Sequence, residues 1–367
     1  MNDEYYMRLA LELALKGLGK VNPNPLVGAV IVKDHEIIGE GYHKKYGGLH
    51  AERNALLNCT KSPSGATMYV TLEPCCHYGK TPPCTEAIIE HNISKVVIGT
   101  LDPNAKVSGK GVEYLIQAGI EVVVGTLEEQ CKEINKVFFH FVTTQKPFVV
   151  MKYAMTMDGK IATAAGESKW ITGDLARRRV HHDRNRYSAI MVGVGTVLSD
   201  NPLLTCRVMY GINPIRIVCD SNLITPLECN VIQTAKTIPT IIATTVRDQR
   251  AHKKYVNYGC KILPVSKKDN SVDLEELMVK LGELEIDSIL LEGGATLNFS
   301  ALNRGIVNKV ECYIAPKIFG GHGAKTPVGG VGFPKISEAV QLKHSKIINV
   351  GDDFLIESEV EATCLQE

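Results

Sequence analysis

The feature that most limits what this chain can fold into is an alternation of short apolar runs with helical stretches, repeated in two series. In the first, LVGAVIV (26–32) and EIIGEGYH (36–43) flank the polar turn Lys33-Asp34-His35 and predict a hairpin. A helical stretch from Ala51 to Asn58, a strand at 67–72 and a helix beginning near Pro83 follow. Next come a strand at 95–100, a helix at 110–118, a strand at 120–124 and a long helix at 127–141. Strands and helices in alternation bury their apolar faces against one another, so the pattern predicts a three-layer α/β domain. The polar segment TTQKP (143–147) closes it and sets two domains, 1–145 and 146–367. The second series runs through PFVVMKYAM (147–155), SAIMVGVG (188–195), PIRIVCD (214–220), PTIIATT (239–245), SILLEGG (288–294) and KVECYIAP (309–316). With helices expected at 174–187 and 273–284, it is α/β again. At 367 residues and 44% hydrophobic, each half has enough apolar material for its own core.

Charge and patterning exclude several function classes. A net charge of +1 without a basic block argues against nucleic acid or an anionic membrane as partner. The first twenty residues, MNDEYYMRLALELALKGLGK, open acidic and are interrupted by Arg8, Glu12 and Lys16. They predict an amphipathic helix, not an export signal. No run of 18 apolar residues occurs, so no membrane span is expected. Eleven cysteines without an export signal predict reduced thiols and a cytoplasmic location. The segment GVGTVL (193–198) is rejected as a dinucleotide fingerprint, because Leu198 stands at the third glycine position.

The chemistry concentrates in two short segments, His50-Ala51-Glu52 and TLEPCCHYGKTPPC (71–84). A zinc deaminase needs three protein ligands, an open fourth position and a carboxylate to shuttle protons, with the pattern H-x-E followed by P-C-x-x-C. His50, Glu52 and Pro74-Cys75 match it; the second cysteine does not, since position 78 is Tyr78. Adjacent cysteines rarely both reach one tetrahedral ion, and Pro83-Cys84 reads as a helix start that favours a thiolate. One zinc ion per chain is therefore expected on His50, Cys75 and Cys84, with Glu52 as proton carrier. The alternative is a closed structural site that uses Cys76 or His77 as a fourth ligand, which would leave Glu52 without a task. Lys80, in the intervening loop, is a candidate for an anionic substrate group such as phosphate.

Together HAE (50–52), PNPLVGAVIV (23–32) and EPCCHYGKTPPC (73–84) resemble the bifunctional deaminase–reductase family of bacterial riboflavin biosynthesis. KYAMTMDGKIAT (152–163), ESKWITG (167–173), TVLSDNPLLTCR (196–207) and LLEGGATLN (290–298) extend the resemblance over nearly the whole chain. It implies a cytidine-deaminase-like three-layer domain followed by a dihydrofolate-reductase-like α/β domain. It also implies two reactions. The first half would hydrolyse the 2-amino group of 2,5-diamino-6-ribosylamino-4(3H)-pyrimidinone 5′-phosphate. The second would reduce the ribosyl chain with NADPH, giving 5-amino-6-ribitylamino-uracil 5′-phosphate.

Carried onto matching positions, the resemblance places Asn24, His43, Lys80 and Thr81 at the deaminase substrate. It places NADPH against Ala154, Trp170, Thr196, Asp200 and the turn Gly294-Ala295-Thr296. A glycine pair between strand and helix does let backbone amides approach a phosphate. Ser168, Arg184, Leu204, Arg207 and Glu292 would hold the reductase substrate, the two arginines at its phosphate. Lys152 would polarise or protonate the opening ribose. Ser221, after the strand at 214–220, is the candidate for the cofactor's 2′-phosphate. Trp170, the single tryptophan, is otherwise expected in the core, and Lys152 otherwise at the surface. The partners expected are a small phosphorylated pyrimidine and a second copy of the chain. The rival reading is a zinc deaminase for a free nucleoside or tRNA, with a non-catalytic nucleotide-binding second half.

Overall fold

Asp34 and His35 both take left-handed backbone angles, φ 50° and 64°, so β1 (Gly28–Lys33) turns into β2 (Glu36–Tyr42) through a two-residue link. This is seen in a computed structural model that describes residues 2–78, 82–104 and 107–361. The hairpin joins β3 (Thr67–Leu72), β4 (Lys95–Thr100) and β5 (Glu121–Val124) in the order β2-β1-β3-β4-β5. β1 runs antiparallel to β2 and β3, whereas β3, β4 and β5 are parallel. Alternation along the strands explains the layering. Ala29, Ile31, Met68, Val70, Val96 and Ile98 face Ala51, Ala55, Ile88 and Leu115. Those four come from α2 (Ala51–Leu57), α3 (Cys84–Glu90) and α4 (Lys110–Gln117). The intervening Val30, Val32, Tyr69 and Val97 pack against Met7, Ala10 and Leu11 of α1 (Asp3–Leu15) and Cys131 of α5 (Glu128–Ile134).

One departure from the sequence pattern lies here. The long helix expected at 127–141 is two helices, α5 and α6 (Lys136–Thr144), parted at Asn135. The buried Asn135 side chain accepts from Leu26 N–H at 2.8 Å and donates to Leu26 C=O at 2.9 Å. It serves the segment before β1 at the expense of a continuous helix.

The chain divides into two compact units, Met1–Gln145 and Lys146–Glu367. The second unit's chain order is β6 (Phe148–Thr156), α7 (Asp174–Arg186), β7 (Ala189–Gly193), α8 (Val194–Asp200), β8 (Ile215–Cys219), α9 (Asn230–Gln233) and β9 (Thr240–Thr244). It continues with α10 (Gln249–Asn257), β10 (Lys261–Pro264), the two-residue strands β11 (Lys267–Lys268) and β12 (Ser271–Val272), α11 (Leu274–Glu283), β13 (Ser288–Leu291) and α12 (Ala295–Asn303). It ends with β14 (Lys309–Ala315), β15 (Leu342–Val350) and β16 (Asp353–Val360). The large sheet is ordered β10-β9-β8-β7-β13-β6-β14-β16-β15 and is parallel from β10 to β14. Antiparallel β16 and β15 complete one edge. The sequence pattern did not pick out that hairpin, because most side chains of β15 are exposed and KHSK interrupts its apolar residues.

Leu277 and Leu281 of α11 and Ala301 of α12 cover one face, against Val149, Met191, Ile217 and Ile289. Val197 of α8, Val231 and Ile232 of α9 and Tyr255 of α10 cover the other, against Ile190, Val192, Val218 and Ile242. α7 lies on the β14–β16 end of the sheet through Ala176 and Val180, against Tyr313 and Leu355. Among the described residues the cysteines are free thiols, and no helix is long and apolar enough to cross a membrane.

Candidate active sites

α2 can lie directly on β2 because Gly39 and Gly41 face it. A Cβ on Gly41 would stand 2.2 Å from Ala55 N and 2.4 Å from Ala51 O. That packing brings His50, the residue before α2, to the sheet end where Cys75 leaves β3. Cys84, the first residue of α3, comes in beside them and is buried. Arg53 of α2 holds its approach, donating to Pro82 O at 3.2 Å and Pro83 O at 2.8 Å.

His50 Nδ1, Cys75 Sγ and Cys84 Sγ lie within 4.8 Å of one another, with Nδ1···Sγ separations of 3.5 and 3.4 Å. A tetrahedral zinc with bonds of about 2.0 Å to nitrogen and 2.3 Å to sulfur sets such edges at about 3.5 Å. One imidazole and two thiols, all of borderline-soft character, fit zinc and leave a fourth position open. Of the coupled thiols, Cys75 is the one held as thiolate: the hydrogen bond from Cys84 pulls it down, and His50 adds to this. The same bond to Cys75, followed by burial, pushes Cys84 up. Cys76 and His77 are not part of the cluster, so the closed four-ligand alternative has no support among the described residues.

Glu52 is 3% exposed, and its Oε2 meets no hydrogen-bond partner among the described residues. Burial pushes its carboxyl up. His50, Glu52 and Cys75 line a cavity of about 290 Å³ with Asn24, His43 and Asp102. Leu49 C=O can only accept, so His43 Nδ1 carries its proton, at 3.0 Å, and Nε2 accepts from the Asn24 amide at 3.1 Å. His43 is thus neutral, in keeping with burial, which pulls it down. Lys80 and Thr81 lie outside the described residues.

Among the pocket residues that the sequence reading did not single out are two carboxylates, Asp102 and Glu73. Asp102 follows β4 at the same sheet end as Cys75; the rule that ligands gather beyond the carboxyl ends of parallel strands would have pointed to it. Glu73, in the LEPC segment, accepts from the N–H groups of Asp102, Gly109, Gly111 and Val112 at 2.8 to 3.3 Å. It fastens the entry of α4 to the strand that delivers Cys75.

In the second unit the expected residues gather at the carboxyl ends of β6, β7 and β13. Lys152, Ala154, Trp170, Arg184, Leu204, Arg207 and Glu292 line a cavity of about 480 Å³. Ser221 and Thr296 line another of about 460 Å³, and Ser168, Thr196, Asp200, Gly294 and Ala295 line both. The GVGTVL segment rejected as a fingerprint lies here too, as the end of β7 and the start of α8. Gly293, at φ 93°, takes an angle that suits glycine, and it accepts from Gly193 N–H at 2.9 Å, which joins the two strand ends. Ser221 Oγ accepts from Val272 N–H at 3.0 Å.

Arg184 is committed to Glu292 through a two-point ion pair, Nε–Oε1 2.6 Å and Nη2–Oε2 2.8 Å, and donates to Thr205 O at 3.1 Å. Burial works against the Glu292 carboxylate, but Arg184 holds it down at about 2. Trp170 is 60% exposed, not a core residue, with the Arg177 guanidinium 4.8 Å from its ring centroid. Lys152 is partly buried, not at the open surface. Its ammonium is pulled down by burial.

Comparison with known proteins decides the family. Residues 1–100 match the family model "Cytidine and deoxycytidylate deaminase zinc-binding region", and residues 147–356 match "RibD C-terminal domain". The riboflavin biosynthesis protein RibD of Actinobacillus pleuropneumoniae is 57% identical, covering 97% of this chain and 95% of its own. The chain belongs to the RibD family. The RibD of Escherichia coli K12 is 41% identical over 97% of this chain and 99% of its own. Among solved structures, RibD of Acinetobacter baumannii superposes with a TM-score of 0.88 at 36% identity, covering 98% and 99%. A diaminohydroxyphosphoribosylaminopyrimidine deaminase/5-amino-6-(5-phosphoribosylamino)uracil reductase from Thermotoga maritima gives 0.86 at 42% identity, again covering 98% and 99%. As a RibD-family member the chain is a bifunctional enzyme of riboflavin biosynthesis, with a zinc-binding deaminase domain and a reductase domain.

Proposed function

We propose that the first unit hydrolyses the 2-amino group of 2,5-diamino-6-ribosylamino-4(3H)-pyrimidinone 5′-phosphate. The second unit then reduces the ribosyl chain with NADPH, giving 5-amino-6-ribitylamino-uracil 5′-phosphate. The observation that carries the reading is one donor set, His50, Cys75 and Cys84, two of whose members share a pocket with a buried carboxyl whose Oε2 has no hydrogen-bond partner among the described residues.

Held by His50, Cys75 and Cys84, zinc supplies the Lewis acidity that makes water a nucleophile near neutral pH. Glu52 would take the proton of the attacking water on Oε2 and give it to a ring nitrogen, then carry the hydroxyl proton of the resulting adduct to the 2-amino group, which leaves as ammonia as the C–N bond breaks. Its raised affinity for a proton suits the acid half of that cycle. His43, neutral and fixed by Leu49, orients the Asn24 amide toward the pyrimidine. Lys80 and Thr81 take the substrate phosphate.

In the second unit NADPH supplies the hydride. The turn Gly294-Ala295-Thr296 enters α12 and offers backbone N–H groups to a phosphate. Ala154, Trp170, Thr196 and Asp200 line the rest of the cofactor site, and Ser221 meets the 2′-phosphate. Arg207 takes the phosphate of the substrate. Arg184, already paired, orients Glu292, and Ser168 and Leu204 complete the wall. Lys152 protonates the ribose ring oxygen as the ring opens. We also propose a cytoplasmic enzyme that works as a homo-oligomer on small molecules, without nucleic acid or membrane.

Incubating the purified protein with the pyrimidinone phosphate, with and without NADPH, and weighing the products tests both halves. Deamination without NADPH and reduction with it are expected; activity on cytidine or tRNA alone would overturn the reading.

A further inference from the structure

Between β6 and α7 the chain turns its single tryptophan outward, and Trp170 lines the cavity of about 480 Å³. A ring 60% exposed has little packing to fix it, yet the turn that carries it is tied down from three sides. Lys317, just past β14, donates from Nζ to Trp170 O at 3.1 Å and to Ile171 O at 2.7 Å. Its own backbone is anchored, since Lys317 O accepts from Met157 N–H at 2.8 Å at the end of β6. Arg177 of α7 donates from Nη1 to Thr172 O and pairs with Asp174. The same guanidinium lies over the indole, 4.8 Å from the ring centroid. Asp353, the first residue of β16, accepts from Gly173 N–H at 2.7 Å. The consecutive carbonyls of Trp170, Ile171 and Thr172 are thus all held by two cationic side chains.

Hydrogen bonds from a charged donor are stronger than neutral ones, and a cation over an aromatic face adds its own attraction. None of these contacts buries the indole; together they fix the direction of an open ring. What that ring meets follows from the cavity walls. Trp170 shares its cavity with Lys152, Ala154 and Glu292, whereas Ser221 lines the neighbouring one, which Trp170 does not line. With the cofactor's 2′-phosphate at Ser221, the adenosine end lies away from Trp170 and the nicotinamide end lies beside it. A flat nicotinamide ring is matched by another flat ring, in offset or edge-on contact.

We infer that Lys317 and Arg177 are positioning residues that set the Trp170 indole as the wall against which the nicotinamide ring of NADPH lies. This rests on the reductase reading above and adds to it how the reacting ring is aimed. With the indole held in place beforehand, cofactor binding need not freeze a loose side chain, and affinity rises accordingly. Removing either tether leaves Trp170 present but unaimed, so the loss falls on the nicotinamide end of the cofactor and spares the adenosine end.

Because Trp170 is the single tryptophan, indole fluorescence of the full-length protein reports this residue alone. NADPH should quench it in the parent, whereas adenosine 2′,5′-bisphosphate, which lacks the nicotinamide, should bind and leave it unchanged. Equal quenching by both, or no quenching by NADPH that calorimetry shows to be bound, would overturn the inference. In Lys317→Met and Arg177→Gln the fluorescence anisotropy should fall. The dissociation constant for NADPH should rise ~10-fold, the scale of one lost charge-assisted hydrogen bond, while that for the bisphosphate holds. Lys317→Arg keeps a cationic donor and should restore much of both. A variant that binds the bisphosphate as the parent does is folded, and parental anisotropy and NADPH affinity in such a variant would also overturn the inference. Parent protein that binds no NADPH, or binds it and cannot reduce the deaminated intermediate, would instead overturn the reductase reading.

Discussion

At Cys84 the chain enters α3, and its amide N–H reaches Cys75 Sγ at 3.3 Å, so backbone and side chains together fix the two thiols. Cys76, one residue from Cys75, stays outside the cluster and partly exposed. Cys84→Ser should therefore lose most of the zinc, while Cys76→Ser should keep one ion per chain, as read by metal analysis of the purified variants. Glu52→Gln keeps the shape of a side chain that meets Cys84 but is not one of the ligands. Zinc content should stay at one per chain while deamination falls by ~10²–10⁴, the usual loss when general acid–base catalysis is removed. Reduction of the already deaminated intermediate should be unaffected, and near-parental deamination would take Glu52 out of the mechanism. These residues were legible because metal chemistry imposes a local spacing and a narrow choice of side chains. Glu73 and Asp102 were harder to read, since what they do depends on segments about thirty residues away meeting in space.

Helices and strands were legible wherever an apolar period ran unbroken, as along β3, β4 and β13. Legibility failed where a side chain's partner lay far off in sequence. Asn135 ends α5 for the sake of Leu26, and nothing within 127–141 announces that bond. β15 is the edge strand of the sheet with most of its side chains in water, so it lacks the apolar alternation that marks a half-buried strand. The glycines of β2 carry an opposite lesson, for a missing side chain is what lets α2 settle on the strand. Gly41→Ala would drive a methyl into the backbone of Ala51 and Ala55, neither of which can yield without moving the helix. Overpacking of this kind costs about 1–3 kcal/mol. Because His50 stands at the start of the same helix, zinc affinity should fall with stability. Chelator competition and urea unfolding on the full chain would read the two together; unchanged affinity would show that α2 does not set the ligand geometry.

Each unit has its own sheet and its own buried clusters, so at the scale of the molecule the two chemistries are separable in principle. His50, Glu52, Cys75, Cys84, Asn24 and His43 all fall within the first 145 residues, and the pocket beside the ligand cluster is lined by no described residue beyond Phe138. A fragment of residues 1–145 is of ordinary domain size and buries a continuous apolar layer on both faces of its sheet. It should fold, take up one zinc and deaminate the pyrimidinone phosphate without NADPH. A fragment from residue 146 onward should bind NADPH and reduce only the deaminated intermediate. Insolubility of either piece would speak to assembly between copies, and measuring the oligomeric state of the full chain would separate that cause from failed chemistry. The decisive result is a soluble, folded, zinc-loaded 1–145 fragment that cannot deaminate. It would mean that residues beyond 145 complete the first active site, and that dividing the two reactions between the units is wrong.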